Sequence, residues 1–235
     1  MSMIVRVCKN FGGQKMSKEE IDYVYPIPED KYNDVIEHLR YNFFADEPLN
    51  KCVGLCETGR GHSELELHSI LTLQDNLSVM AVNGNGQVIG VALNGIQHEG
   101  DVDEAIKKLE TLNDKKFKQI FSMLYDLNQS LNLFSRYDVT SIFECRILSV
   151  DNNYRGRGLA NELFKLSIDI ASKAGFKVFK VDATGVFSQK ISTKLGLETL
   201  IELEYRNHLD SATGLPMFTP PSPHTSLKVM VKILQ

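Results

Sequence analysis

The residues best suited to bind a ligand form one short segment, Arg155-Gly156-Arg157-Gly158-Leu159-Ala160. Its two glycines allow the backbone to approach a ligand closely, and its two arginines add positive charge. Where such a turn opens a helix, unpaired backbone N–H groups and the positive end of the helix dipole converge on one point. The segment therefore predicts an anion site, and we expect the anion to be a pyrophosphate.

The elements on either side of this segment are suited to position it. Residues 142–150 are mostly apolar and predict a buried strand, which ends at the polar residues 151–153. Apolar residues then recur at steps of four, three and four, the spacing of one α-helical face: Leu159, Leu163, Leu166 and Ile170. A strand, a glycine-bearing turn and a helix start are the parts that such an anion site requires.

The composition of the whole chain is that of a globular protein, with 43% hydrophobic and 24% charged residues among 235. This length predicts a single α/β domain over residues 1–235, in which 1–20 form a loosely ordered lead-in. The net charge of −4 and the pI of about 5.9 argue against a nucleic-acid partner. No apolar run approaches the roughly 18 residues of a membrane span, so no membrane partner is expected.

The cysteines and the N-terminus bear on metal binding and on the cellular compartment. Cys52 and Cys56 form a close pair without a matching second pair or a histidine cluster, so no metal is expected. The N-terminal residues lack the apolar middle of a signal peptide. Together these features predict reduced thiols and a cytoplasmic protein.

The periodicity of the remaining chain predicts strands and helices around the glycine segment. Asn83-Gly84-Asn85-Gly86 between two apolar runs predicts a β-hairpin. Pro48 is expected to stop the first helix. The other predicted strands cover residues 22–27, 77–82, 87–96, 176–181, 197–205 and 227–234. The predicted helices cover 29–44, 63–77, 101–133 with a break near Asn113-Asp114, and 187–195, where Gly196 suits the helix end.

Three interpretations of the glycine segment are open at this point. The first is a helix start that requires backbone flexibility. The second is a dinucleotide-binding turn, which is disfavoured because the third glycine is missing and the segment lies in mid-chain. In addition, no acidic residue ends a following strand about 20 residues on in the expected way. The third is an acyl-coenzyme A site, because Arg155, Gly158 and Ala160 satisfy the pattern Q/R-x-x-G-x-G/A.

That pattern, placed between a strand and a helix, resembles motif A of the GNAT N-acetyltransferase superfamily. Residues 46–50, Asp-Glu-Pro-Leu-Asn, resemble the D-E-P-L/M-N element of insect arylalkylamine N-acetyltransferases. Residues 148–156 resemble the coenzyme A strand and loop of that family, and 188–196 its short helix. Pro223-His224 and the final strand resemble its C-terminal portion. The resemblance covers most of residues 22–235.

The resemblance implies the GNAT fold, an α/β (α+β) class with a mixed, mostly antiparallel sheet of about seven strands flanked by helices. It also implies acetyl-CoA as co-substrate, with the pyrophosphate on the glycine segment and the pantetheine arm along the preceding strand. The residues implied to bind acetyl-CoA are Leu148, Ser149, Val150, Arg155, Gly156, Arg157, Gly158, Leu159 and Ala160.

The resemblance further implies the catalytic residues Glu47, Ser188 and Thr184. Glu47 matches the family's general base, which is needed because an alkylamine with a pKa of about 10 arrives protonated. The alternative is a solvent-facing glutamate before a proline. Ser188 and Thr184 match hydroxyls that protonate the leaving thiolate, although Ser188 equally suits a helix N-cap. Thr184 lies in Asp182-Ala183-Thr184-Gly185, where the family usually has a Cys-Ser-Ser run, so this departure bears on the substrate range.

The acceptor implied by the resemblance is the primary amine of an arylalkylamine, such as dopamine, serotonin or tryptamine, attacked directly in a ternary complex by a monomeric enzyme. Its pocket is expected from the first helix and its loop, the second hairpin strand and residues 206–225. Aromatic residues there either stack on the substrate or belong to the core: Tyr41, Phe43, Phe44 and Phe218. His224 either reaches the pocket or is structural. The alternative functions are acetylation of a polyamine or protein amine, and acyl-CoA binding without catalysis.

Overall fold

The computed structural model describes the backbone of Met3–Arg6 and residues 20–235. The strands are, in chain order, β1 (Met3–Arg6), β2 (Ile21–Tyr25), β3 (Val79–Asn83), β4 (Val88–His98), β5 (Ser141–Val150), β6 (Val178–Ala183), β7 (Glu198–Glu204) and β8 (Ser226–Ile233). The α-helices are α1 (Tyr32–Asn42), α2 (Pro48–Val53), α3 (Ser63–Gln74), α4 (Asp101–Thr111), α5 (Lys115–Leu131), α6 (Leu133–Tyr137), α7 (Leu159–Lys173) and α8 (Val186–Lys194).

The helix boundaries follow from local chemistry. Asp114 accepts hydrogen bonds from the first backbone N–H groups of α5, which explains the predicted break before that helix. Pro48 was expected only to stop α1, but it also begins α2, because proline at the first helical position needs no N–H partner. Gly196 has a φ of 82° directly after α8, as the predicted helix end requires. Within the described residues, no helix combines the length and the apolarity needed to cross a membrane.

The strands form one mixed sheet in the order β1-β2-β3-β4-β5-β6-β8-β7. Only the β5–β6 pair is parallel, and every other neighbouring pair is antiparallel. The predicted class and the mostly antiparallel sheet are therefore confirmed. The two parallel strands pair only at Phe143 with Phe179 and at Glu144 with Lys180, and their later residues are unpaired with each other. The sheet consequently opens between the C-terminal ends of β5 and β6.

The strand β1 corrects one prediction and raises the strand number from about seven to eight. Residues 1–20 were expected to be loosely ordered, yet Met3–Arg6 pairs antiparallel with β2. The free edge of β2 offers unpaired N–H and C=O groups, and these four residues satisfy them. The rest of the expected lead-in, apart from Glu20, lies outside the described residues.

Helices cover both faces of the sheet. On one face, α7 packs on β3, β4 and β5 through its buried apolar residues, Leu159, Leu163, Phe164, Ile170 and Ala171. On the other face, α1, α3 and α5 bury Leu39, Leu73 and Ile120 in a second core. Burying one such side chain contributes about 1.5–3 kcal/mol. These two layers hold α1 and α7 on opposite faces of the same strands.

Candidate active site

Glu47 lies in the short connection between α1 and α2. Its backbone follows α1 directly, because its N–H donates to the carbonyl of Phe43 at 2.8 Å. Its side chain caps α2, since Oε2 accepts the backbone N–H of Asn50 at 2.8 Å. The residue as a whole is partly exposed, and it lines a cavity rather than the outer surface. The alternative of a solvent-facing glutamate is therefore not what the structure shows.

The surroundings of Glu47 raise the pKa of its carboxyl group. Burial is the main cause, and the hydrogen bonds from Thr184 and from the α2 backbone only partly offset it. A carboxylate with a raised pKa binds a proton more strongly than an exposed glutamate does. This property suits a general base that must take a proton from a cation.

Thr184 lies next to Glu47, although the two residues are 137 positions apart in the chain. The Thr184 hydroxyl donates to Glu47 Oε1 at 2.6 Å, and Tyr205 Oη donates to the Thr184 carbonyl at 2.7 Å. Thr184 directly follows β6. It lies where β5 and β6 separate, and the start of α2 with Glu47 packs at the same place. The structure thus unites two of the three predicted catalytic residues.

Ser188 lies in the first turn of α8 but is not the N-cap of that helix. Gly185 is the N-cap of α8, and the Ser188 hydroxyl donates to the Gly185 carbonyl at 2.9 Å. The N-cap interpretation of Ser188 is therefore wrong, because Ser188 is already the third residue of the helix. In the described part of the chain, no hydrogen bond links Ser188 to Glu47 or Thr184.

His224 packs against the start of α8. Its Nδ1 accepts the backbone N–H of Val186 at 3.2 Å, and its ring lies edge-on to Phe187. A Cβ on Gly185 would lie 2.6 Å from His224 Nδ1 and 3.1 Å from Pro48 Cγ. Gly185 therefore allows the beginnings of α2 and α8 to approach each other, and His224 stabilises that junction.

The glycine segment has the backbone geometry that its sequence predicts. Gly156 and Gly158 have φ angles of 76° and 81°, in the left-handed region that favours glycine. Gly158 is the N-cap of α7, so the first N–H groups of this 15-residue helix have no acceptor within the helix. A Cβ on Gly156 would meet no atom within 4 Å, so that position faces open space. The segment can receive an anionic group on its backbone.

The two arginines of the segment bind to nearby protein groups. The Arg155 guanidinium donates to the carbonyls of Val150 and Asn42 and to Asp46 Oδ2, the last at 3.0 Å. The Arg157 guanidinium lies 4.7 Å from the Tyr154 ring centroid, within cation–π range. Arg155 therefore connects the end of β5 with the α1–α2 connection that carries Glu47.

A buried polar contact joins α1 to the predicted cofactor strand. His38 Nε2 and Ser149 Oγ share a hydrogen bond of 3.0 Å, and Asn42 Oδ1 accepts the backbone N–H of Asn152 at 3.1 Å. Burial lowers the pKa of His38 to about 4, so its ring is neutral near pH 7. Ser149 thus uses its side chain inside the protein. Its strand neighbours Leu148 and Val150 are the last residues of β5 on either side of it.

A cavity lies between the sheet and the helices α3 and α5, with an empty volume of about 930 Å³ that includes space open to solvent. Glu47 and Thr184 line it together with Ile147 of β5. Apolar and aromatic side chains supply much of the remaining wall: Phe43, Leu49, Leu65, Ile120, Phe121, Leu124 and Tyr125.

Four charged residues also line the cavity. Lys180 Nζ donates to Glu144 and to Asp182 Oδ2, and Arg146 Nε donates to Glu144 Oε2 at 3.1 Å. Burial alone would raise the pKa of Glu144, but Lys180 and Arg146 outweigh it and lower that pKa to about 2. Burial raises the pKa of Asp182 despite Lys180. The sequence signal for this cluster was present: Glu144 and Arg146, like Lys180 and Asp182, alternate with apolar residues on one strand face.

The four aromatic residues predicted for the amine pocket lie in three different environments. Phe43 lines the cavity, whereas Phe44 and Phe218 are fully buried in the core. Tyr41 is 55% exposed and does not line the cavity. The second hairpin strand contributes Gln97, as predicted for that strand. The wall contributed by α5 was missed, because periodicity shows that a helix face is apolar but not whether it covers a core or a cavity.

Solved structures of insect N-acetyltransferases are similar to this chain over nearly its whole length. No family model matches the chain. The solved structure of arylalkylamine N-acetyltransferase 2 from Aedes aegypti is 47% identical, with a TM-score of 0.88, over 92% of this chain and 99% of that chain. A mosquito arylalkylamine N-acetyltransferase like 5b is 27% identical, with a TM-score of 0.80, over 91% and 100%. A Drosophila melanogaster polyamine N-acetyltransferase shares the fold at 20% identity, with a TM-score of 0.80, over 91% and 100%.

The fold, the glycine turn at α7 and these matches define the class as a GNAT N-acetyltransferase, which confirms the resemblance seen in the motifs. At this level of identity over nearly the whole length, the chain belongs to the family of insect arylalkylamine N-acetyltransferases.

Proposed function

We propose that this chain transfers an acetyl group from acetyl-CoA to the primary amine of an arylalkylamine, by direct attack in a ternary complex. The observation that carries the proposal is Glu47. Its carboxylate has a raised pKa, is fixed by Thr184 and Asn50, and lines an aromatic cavity. That cavity also touches Ile147 of β5, so a thioester held along β5 would meet an amine held beside Glu47.

The donor half of the site is assigned to the opening between β5 and β6 and to the glycine segment. The N–H groups of residues 156–160 would bind the pyrophosphate, and Arg155 and Arg157 would add positive charge. The pantetheine arm would lie along Leu148, Ser149 and Val150, where β5 no longer pairs with β6. A backbone N–H of this strand would polarise the acetyl carbonyl.

The proposed acetyl transfer accounts for every bond and proton. Glu47 takes one proton from the ammonium, and the free amine nitrogen attacks the acetyl carbon. A C–N bond forms, and the C–S bond then breaks to release the coenzyme A thiolate. The nitrogen loses a second proton as the amide forms, and the thiolate gains one. The net release is one proton, which leaves through Glu47.

Thr184 and Ser188 are the hydroxyls proposed to protonate the thiolate. Each donates its hydrogen elsewhere in this structure, Thr184 to Glu47 and Ser188 to the Gly185 carbonyl. The Thr184 contact also gives that residue a positioning role, because it orients the base. Ser188 has no contact with Glu47, so the two hydroxyls are open to separate tests.

The aromatic lining supports an aryl substrate, through Phe43, Phe121 and Tyr125. The carboxylates of Glu144 and Asp182 would suit the second cation of a polyamine. However, Lys180 and Arg146 already pair with them, so the cluster has no net negative charge to attract a further cation. We therefore favour an arylalkylamine over a polyamine.

The test is an acetyl transfer assay across phenethylamine, tyramine, dopamine, serotonin and tryptamine, with agmatine, spermidine and a short lysine peptide as competing classes. We expect arylalkylamines to be acetylated with the highest kcat/KM. A higher kcat/KM for agmatine or spermidine would overturn the substrate class. Tight coenzyme A binding with no turnover of any amine would overturn the enzymatic function.

A further inference from the structure

Tyr205 is a buried tyrosine that holds the residue next to the proposed base. It directly follows β7, and its backbone N–H donates to the Thr225 carbonyl at 3.0 Å. Tyr205 is only 2% exposed, and its ring lies edge-on to Phe218 in the core. Its hydroxyl donates to the Thr184 carbonyl at 2.7 Å. The backbone, the ring and the hydroxyl of Tyr205 are therefore all fixed.

The Thr184 carbonyl lies just beyond the sheet. The pairing of β6 with β8 ends at Ala183, opposite Lys228. Gly185 is already the N-cap of α8, so Thr184 is a single residue between a strand and a helix. A buried carbonyl at such a point needs a hydrogen-bond donor from elsewhere in the chain. The Tyr205 hydroxyl is that donor.

Holding this carbonyl also restricts the Thr184 hydroxyl. Threonine is branched at Cβ, so its side chain has few rotamers about the first side-chain bond. Once the backbone is held, the hydroxyl can point in few directions, and in this structure it donates to Glu47 Oε1 at 2.6 Å. Thr184 thus accepts a hydrogen bond from Tyr205 at its backbone and donates one to Glu47 with its side chain.

Tyr205 contributes to the site from behind the cavity wall. Among the described residues, those that line the cavity include Thr184 and Glu47 but not Tyr205. Burial, and to a smaller degree the Glu47 carboxylate, raise the pKa of Tyr205, so its hydroxyl stays protonated at neutral pH. That hydroxyl is already bound to a carbonyl. Tyr205 is therefore suited to position the base and not to exchange a proton with the substrate.

Replacing Tyr205 by phenylalanine leaves the charges around Glu47 unchanged. Asp46, Cys52 and His224 lie near the α1–α2 connection. The other ionisable residues that line the cavity lie on α3, α5, β5 and β6: His68, Tyr125, Glu144, Cys145, Arg146, Lys180 and Asp182. The substitution removes a neutral hydroxyl and adds no charge. A change in the pKa of Glu47 would therefore come from a change in the hydrogen bonds that it accepts.

We propose that Tyr205 is a positioning residue for acetyl transfer: it holds the Thr184 backbone so that the Thr184 hydroxyl orients Glu47. This inference rests on the proposed function. A catalytic group displaced by about 1 Å can cost up to about 100-fold in rate, so loss of the Tyr205 hydroxyl should lower kcat. Acetyl-CoA is assigned to the glycine segment and β5, so its KM should stay the same.

The experiment is Tyr205→Phe in the full-length enzyme, assayed with tyramine between about pH 5 and about pH 9. We expect kcat to fall about 3- to 10-fold, the effect of one buried hydrogen bond, with the KM for acetyl-CoA within about two-fold of the wild type. The pH profile of kcat/KM should move to higher pH, as in Thr184→Val, because the Thr184 hydrogen bond lowers the pKa of Glu47. An NMR titration of the labelled Glu47 carboxyl carbon, without substrates, should show the same shift.

Tyr32→Phe is the matched control. Tyr32 Oη donates to the Leu73 carbonyl at 2.8 Å, so this variant loses the same kind of hydrogen bond, here between α1 and α3. It should keep the wild-type kcat and pH profile. The double variant Tyr205→Phe/Thr184→Val should have the pH profile of Thr184→Val alone, because Tyr205 acts through Thr184. Circular dichroism and coenzyme A binding verify that each variant is folded.

The outcomes separate this inference from the proposed function. A folded Tyr205→Phe variant with the wild-type pH profile would overturn the inference and leave the proposed function intact. A shift in the double variant larger than that of Thr184→Val would also overturn the inference, since Tyr205 would then act on Glu47 by another route. Wild-type activity of Glu47→Gln, or turnover of no amine, would overturn the proposed function and this inference with it.

Discussion

The substitution Glu47→Gln tests the chemistry at the atom proposed to move the proton. Glutamine has the same shape as glutamate and retains an acceptor for the Asn50 N–H that begins α2. It cannot take a proton from the ammonium. The variant therefore removes the base and preserves most of the local structure.

The expected loss of activity follows from the contribution that a general base makes to the reaction rate. Such groups contribute about 100- to 10,000-fold to a rate, which corresponds to about 2.7–5.4 kcal/mol of activation free energy. We expect Glu47→Gln to lose kcat/KM within this range. The wild-type kcat/KM should rise as pH increases through the raised pKa of Glu47, and the variant should lack this dependence.

The stability of the wild type should fall as pH increases, whereas its kcat/KM should rise. The pKa of Glu47 is raised above the value of about 4.3 that it has when unfolded. Its contribution to stability is therefore fully present below that pH and is lost as pH rises through the folded-state pKa. Glutamine does not titrate, so the Tm of Glu47→Gln relative to the wild type should increase with pH over this interval.

The assays are steady-state kinetics with tyramine and thermal unfolding, each between about pH 4 and about pH 9. Glu57→Gln is the matched control, because Glu57 lies on the same segment with its side chain 79% exposed. It should match the wild type in both assays. Activity of Glu47→Gln within a few-fold of the wild type at every pH would refute Glu47 as the base, and a pH-independent Tm difference would refute its raised pKa.

Four further substitutions test the rest of the site. Gly158→Val should weaken coenzyme A binding by at least about 10-fold in calorimetry and cost about 1–2 kcal/mol in urea unfolding, because valine is strained at a φ of 81°; unchanged binding would contradict the pyrophosphate role. Thr184→Val should shift the pH profile of kcat/KM upward, because the Thr184 hydroxyl lowers the pKa of Glu47, whereas Ser188→Ala should reduce kcat without that shift; the reverse pattern would exchange their roles. Lys180→Met should cost about 3–5 kcal/mol in urea unfolding near pH 7, since Asp182 loses its ion-pair partner and Glu144 keeps only Arg146. The loss should be smaller at acid pH, where the carboxylates are protonated, and an equal loss at both pH values would count against that cause.

Local patterns in the sequence were sufficient for most elements. The hairpin at 83–86, the break before α5 and the turn before α7 each depend on residues within a few positions of one another. The helix α2 was missed altogether, because a proline after a helix can mark both the end of that helix and the start of a new one. The strand β1 was missed because a short edge strand is defined by its partner, here β2, and only weakly by its own residues.

The sequence by itself determined the family and predicted the donor half of the site. Residues 148–160 are contiguous, so strand, turn and helix start were visible together. Tertiary structure alone brought Thr184 to Glu47, paired Asn128 with Asp182 and placed α5 over the cavity. The physical reason is that these contacts join residues 54 to 137 positions apart. Their distances depend on the packing of the helices against the sheet where β5 and β6 separate, and no local periodicity records that packing.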